Sequence, residues 1–302
     1  MEEEREKTKF SNKIAKFHDK NYKLLLLIPA IILVFSFAYM FVFYSNTGDF
    51  MNKDISLTGG TSVTVYEKLD LDDLKIELSK DLESVNTREI YDLVTREQKA
   101  VIIETKSDGE KTREVLEDFL GYELTEENSS FEFTGSSLSE SFFKQLLIAI
   151  LLAFIFMAIV VFIIFRTFVP SAAIILAAFA DIFMTLTVFN LFGFKMSSAG
   201  IVAFLMLIGY SVDTDILLTT RILKRHEESL NKKILGAFKT GMTMTLTSLL
   251  AITFALVIVR SFSLVLTQIF TILVIGLSFD ILNTWITNVS ILKWYEKRKN
   301  ET

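Results

Sequence analysis

The chain has 302 residues, 51% of them hydrophobic, and a mean hydropathy of +0.44, with the apolar residues gathered in blocks; an ordinary soluble domain is excluded and a polytopic membrane protein indicated. The absence of cysteine removes disulfides, thiolate metal sites and cysteine nucleophiles. A formal net charge of −5 carries little weight here, because the placement of Lys and Arg along the chain sets topology.

Six stretches are long and apolar enough to cross a bilayer at ~1.5 Å rise per residue: about 22–44, 142–165, 168–190, 198–220, 236–259 and 264–292. The last has length to spare for tilting or for extending into water. The first is expected to stay as an anchor, since Tyr44-Ser45-Asn46-Thr47 offers no small-residue cleavage site. Basic residues cluster before the first stretch (Arg5, Lys7, Lys9, Lys13, Lys16, Lys20, Lys23), at Arg166, between the fourth and fifth (Arg221, Lys224, Arg225, Lys232, Lys233) and after the sixth (Lys293, Lys297, Arg298, Lys299). The short loops of the other side hold only Lys195 and Arg260. This bias places both termini in the cytoplasm: a segment over about 1–21, an extracytoplasmic domain over about 45–140, five further spans to about 292, and a tail over about 293–302.

The segment from 45 to 140 changes period in a readable order. Ser62 to Tyr66 alternates as a strand; Leu71, Leu74, Leu78 and Leu82 recur at helical spacing after an Asp70 cap. Arg88 to Val94 and Ala100 to Thr105 read as strands, Ser107-Asp108-Gly109 as a turn, Val115, Leu116 and Phe119 as a second helix, and Phe131 with Phe133 as a last strand. The order is βαββαβ, a ferredoxin-like arrangement. No flexible linker joins it to the spans, so close coupling to the first two is expected.

Ionisable residues inside the spans are the strongest functional signal: Asp181 in the third, Asp213 and Asp215 in the fourth, Lys239 near the start of the fifth, and Asp280 in the sixth. A charge near a bilayer centre costs roughly 2.5–3.5 kcal/mol on insertion scales, so such residues are read as ion- or proton-handling sites. Four acids against one base cannot all be ionised and dry; protonation, hydration or a partner subunit is required. Asp213 and Asp215 are offset by about 200° around the helix and cannot share a face. Asp215 falls on a polar strip with Ser211 and Thr219, and Lys239 lies at a depth where it could reach either acid or snorkel to the interface.

Other motifs exclude more than they assign. Thr58-Gly59-Gly60-Thr61 reads as a glycine turn entering a strand, without the context of a nucleotide loop. His18 and His226 fall in flanks, so neither a catalytic triad nor a histidine metal site assembles, and no cofactor or enzymatic chemistry is indicated. The basic flanks read as topology signals, not nucleic-acid surfaces.

One helix, an external α/β domain and five helices, with Asp54-Ile55-Ser56-Leu57-Thr58-Gly59-Gly60-Thr61 after the first span and Gly209-Tyr210-Ser211-Val212-Asp213 leading to Arg221, resemble the SecD/SecF family of the RND superfamily, on its SecF side. Thr134-Gly135-Ser136-Ser137-Leu138, Phe179-Ala180-Asp181 and Phe238-Lys239-Thr240 add to the resemblance, which spans about residues 10–295. It implies a SecD partner, a place beside the SecY channel, contact with translocating polypeptide in the bilayer, and use of the proton gradient to assist export.

Two departures stand out. The bacterial pattern carries its acid where Thr214 stands here, while Asp213 falls at the position of the acid in SecD; and Lys239 replaces the family's arginine. The departures and the acidic balance suggest an archaeal version, with Asp213 the better coupling candidate and Asp215 its structural neighbour. The alternatives are a non-energised scaffold for SecD and the channel, an RND-type exporter of small molecules, and an intramembrane aspartyl protease, whose Gly-x-Gly-Asp motif is missing.

Overall fold

A computed structural model describes residues 22, 24–92, 95–224 and 229–301. The expected cytoplasmic segment over 1–21 with His18, as well as Val94, Arg225 and His226, lie outside the described residues. The elements run α1 (Leu27–Thr47), α2 (Ile55–Thr58), β1 (Gly60–Val65), α3 (Leu71–Leu78), β2 (Asn86–Tyr91), β3 (Gln98–Thr105), α4 (Gly109–Leu120), β4 (Ser129–Thr134), α5 (Ser136–Phe165), α6 (Phe168–Leu191), α7 (Ser198–Lys224), α8 (Leu230–Val259), α9 (Leu264–Leu282), a π-helical stretch Asn283–Asn288, and α10 (Val289–Glu301).

Six helical segments among the described residues are long and apolar enough to cross a membrane: α1, α5, α6, α7, α8, and α9 through the π-helical stretch into α10. Several outrun their apolar cores. The second starts at Ser136 instead of near 142, because its polar first turns stay helical, tied by a Lys144–Glu140 pair at 2.8 Å. The fifth starts at Leu230 instead of near 236, where Lys233 Nζ donates to the Ile222 carbonyl at 3.0 Å and so caps the end of α7. The apolar windows of α6 and α7 are each 56% buried, those of α5 and α8 only 6% and 11%, so α6 and α7 form the centre and the others leave broad faces bare.

Between α1 and α5 stands the α/β domain, with the βαββαβ order that a ferredoxin-like arrangement requires. Its sheet order is β2-β3-β1-β4, every neighbouring pair antiparallel. Val63 and Val65 of β1, Val101 and Ile103 of β3, Leu74 and Leu78 of α3, and Leu116 of α4 are fully buried together, the inward half of each pattern. Asp70 caps α3 by accepting from Asp72 N at 2.9 Å, and Asp108 caps α4 by accepting from Lys111 N at 2.9 Å. β2 runs earlier than the pattern suggests, Asn86 to Tyr91, with a register shift at Ile90/Tyr91.

The domain is fastened to the helical bundle through the stretch that precedes β1. Asp54 N donates to the Met196 carbonyl at 3.0 Å, and Lys53 and Met196 form a parallel bridge. Asp54 caps α2 by accepting from Ser56 N at 2.9 Å and from Ser56 Oγ at 2.6 Å; that hydroxyl in turn accepts from Ser198 N, at 2.9 Å, the first residue of α7. Gly59, at φ +82°, lies so close to the backbone of Ser136 that a Cβ would overlap it. Gln268 of α9 completes the joint, accepting from Ser197 N at 3.1 Å and donating to the Lys195 carbonyl. The first turns of α5, α7 and α9 thus meet at the foot of the domain.

Candidate functional site

Three helices bring Asp181 (α6), Asp215 (α7) and Asp280 (α9) into one buried polar cluster, each with no solvent exposure. The cluster exists because the sixth span abandons the regular helix at Asn283–Asn288. A π-helical turn is rare, and such bulges recur at functional sites. It turns Asn283, Thr284 and Asn288 inward, all buried.

Their side chains supply the acids with donors. Asp181 accepts from Ser211 Oγ at 2.6 Å and from Asn283 Nδ2 at 2.7 Å. Asp215 Oδ1 accepts from Asn288 Nδ2 at 2.7 Å and lies 2.8 Å from Thr284 Oγ1, which lies 3.1 Å from Asp280 Oδ1. A hydroxyl carries one hydrogen, so Thr284 can donate to only one of these carboxyls. The other contact becomes a hydrogen bond only when its carboxyl carries a proton and donates to Thr284. Proton count and geometry are therefore linked across the interface between the fourth and sixth spans.

Among the described residues, further oxygens of this region have no hydrogen-bond partner: Asp215 Oδ2, Asp280 Oδ2, Asn288 Oδ1 and Thr219 Oγ1. Thr219 lies one turn beyond Asp215, and Ser211 one turn before it, so the polar strip read from the sequence faces the protein interior. No group of three or more His, Cys, Asp or Glu side chains suited to a metal ion occurs among the described residues.

The other intramembrane residues sit apart. Asp213 is exposed on the far side of α7, as the helical phase requires, and Lys239 is exposed on α8. Among the described residues neither enters an ion pair, so the contact of Lys239 with either acid that its depth allows is not made; the neighbours of Asp215 come from the sixth span instead. Thr214, at the bacterial acid position, lies 3.4 Å from Thr245 of α8, hydroxyl to hydroxyl. Arg221 donates to Thr240 Oγ1 at 2.9 Å and ties the end of α7 to α8, while Gly209 stands on an open face.

The residues that sequence reasoning passed over are Asn283, Thr284 and Asn288. Their signal was present: a polar run, Asn283-Thr284 and Thr287-Asn288, interrupts the otherwise apolar sixth stretch.

Residues 116–298 match the family model described as protein export membrane protein SecD/SecF, C-terminal. The SecF protein-export membrane protein of Methanocaldococcus jannaschii is 40% identical over 284 residues, covering 91% of this chain and 96% of that one. The chain belongs to the SecD/SecF family. SecF of Haloquadratum walsbyi, 33% identical over 285 residues, covers the same 91% of the chain. The crystal structure of SecDF from Thermus, a translocon-associated membrane protein, superposes with a TM-score of 0.64 at 17% identity; the match covers 95% of this chain and 38% of that one. That likeness concerns the fold alone: this chain spans well under half of the SecDF polypeptide. Membership of a SecD/SecF family fits a multi-pass membrane protein whose α/β domain is joined to the ends of its spans.

Proposed function

We propose that this chain is an accessory subunit of protein export that works with SecD beside the SecY channel, converting an ion gradient into movement of its α/β domain. In this reading both termini are cytoplasmic, the domain stands outside the membrane, and the chain is not an enzyme. SecF relatives carry the export role in their names, and the basic flanks support the orientation.

The observation that carries the coupling is the Asp215–Thr284–Asp280 relay, past the middle of α7, a helix whose first residue holds the domain. Adding or removing a proton changes which contacts Thr284 can make between α7 and the sixth span. A shift of α7 is delivered to the domain through Ser198–Ser56 and Met196–Asp54, about 25 Å along the helix at ~1.5 Å per residue. The cycle requires two states with different proton affinity, since a proton bound equally to both shifts nothing. Asp181 fixes the neighbouring side of the cluster through Ser211 and Asn283. Asp213 and Lys239 belong to the uncovered faces of α7 and α8, where a SecD subunit would supply the missing neighbours.

The test is export into vesicles carrying the channel, SecD and this chain, with and without a proton gradient. Gradient-dependent acceleration that disappears when the relay acids are neutralised supports the proposal. Equal export under both conditions leaves the scaffold reading, in which the chain only stabilises SecD and the channel.

A further inference from the structure

Where the domain meets the bundle, a cavity of about 350 Å³ opens between β2, the α6–α7 loop and the start of α9. Two cations line it, Arg88 of β2 and Lys195 of the loop, beside apolar walls from Phe189, Phe194 and Leu264. The Lys195 ammonium is half-buried and enters no ion pair among the described residues. Arg88 reaches Glu104 Oε2 through one nitrogen at 3.3 Å, which among the described residues leaves other donors of its guanidinium fork uncommitted. Burial pushes the Lys195 amine below its ordinary value; nearby Glu104 and Asp54 oppose the shift, Arg88 and Lys106 add to it. An anion in the cavity would relieve this, and its chemistry is narrowed by a second feature. The cavity lies at the domain-side ends of the spans, against the last turn of α6 and the first turns of α9, and Phe194 of its wall is exposed together with the neighbouring Phe192. A charged pocket rimmed by exposed aromatic side chains at the end of a membrane span fits a ligand with an anionic head and hydrocarbon chains.

We propose that this cavity binds the phosphate of an anionic membrane lipid in the leaflet on the domain side. Arg88 offers a planar fork suited to two phosphate oxygens and Lys195 a point charge. The chains of the lipid leave past Phe194 and Phe192 along the end of α6. A lipid seated there lies against Gln268, whose amide ties α9 to the loop, so the site adjoins the joint that carries the domain. The proposal does not depend on ion coupling: a scaffold with the same fold would bind the same lipid.

The test uses the purified full chain in a neutral detergent, exposed in turn to phosphatidylglycerol, phosphatidylcholine and inorganic phosphate, with bound lipid counted by native mass spectrometry and stability followed by thermal unfolding. Retention of phosphatidylglycerol over phosphatidylcholine, with no shift from inorganic phosphate, is expected. Lys195→Gln should weaken the retained lipid roughly tenfold, the loss of one hydrogen bond to a charged group. Lys195→Arg should keep it, and Lys80→Gln, at an exposed pair just past the end of α3, should leave it unchanged. Equal retention of both lipids, or unaltered retention in a folded Lys195→Gln variant, overturns the proposal. Stabilisation by inorganic phosphate to the same extent as by phosphatidylglycerol also overturns it, because the site would then hold a free anion.

Discussion

The hydroxyl of Thr284 lies 2.8 Å from Oδ1 of Asp215, joining the π-helical turn of the sixth span to the middle of the fourth. The same hydroxyl is 3.1 Å from Asp280, one turn earlier in its own span. With one hydrogen and two carboxyls to serve, Thr284 makes the protonation of one acid a condition for the contact of the other.

Thr284→Val keeps the shape of the side chain and removes the relay. Asp215 retains Asn288 as a donor, so the bundle should still assemble. A loss of about 1–3 kcal/mol is expected for a buried acceptor deprived of a partner, read as a lower midpoint in thermal unfolding. Gradient-dependent export should fall while gradient-independent export persists. An unchanged gradient response would remove Thr284 from the coupling route.

Gly59 tests the joint. Its φ of +82° and its closeness to the Ser136 backbone both oppose a side chain. Gly59→Ala should cost about 1–3 kcal/mol in strain and free the domain from α5, seen as faster proteolysis between domain and spans. Gly109, in the first turn of α4 with nothing within 4 Å of a built Cβ, is the control; Gly109→Ala should be neutral or slightly stabilising. Equal protease resistance in both variants would show that the contact at Ser136 does not hold the domain.

Asp54 gives the joint a pH dependence. Burial raises its pKa above the ordinary 3.8, against the opposing hydrogen bonds from Ser56. A carboxyl whose folded-state value is the higher one stabilises the fold most below its unfolded value and loses that contribution as pH rises through the folded value. Asp54→Asn cannot charge, so the melting temperature of the variant relative to wild type should rise as pH climbs from about 3.8 through that window. A difference that stays flat with pH would mean that charging Asp54 costs nothing at the joint.

The architecture was legible because long apolar runs and alternating strands are local patterns. Helical phase puts Asp213 and Asp215 on opposite faces without saying which turns inward; the resemblance favours Asp213 for coupling, whereas the structure buries Asp215 and leaves Asp213 exposed. What remained hidden was non-local: which neighbour Asp215 would meet depends on the π-helical turn, and no single helix pattern predicts that α9 breaks at Asn283. Lys239 matched the acids in depth yet stands on the exposed face of α8, since depth alone does not set rotation about a helix axis. The glycine motif read as a turn into a strand, and β1 does begin at Gly60; its second role, admitting α5 against Gly59, required the position of Ser136.

Asp215→Asn is the most direct measure of the central claim. The amide keeps the size of the side chain and can still accept from Thr284, but it cannot exchange a proton. In vesicles containing the channel and SecD, the account predicts that this variant assembles with SecD normally and exports at the rate of wild type without a gradient, whatever gradient is applied. Full acceleration by the gradient in Asp215→Asn would contradict it.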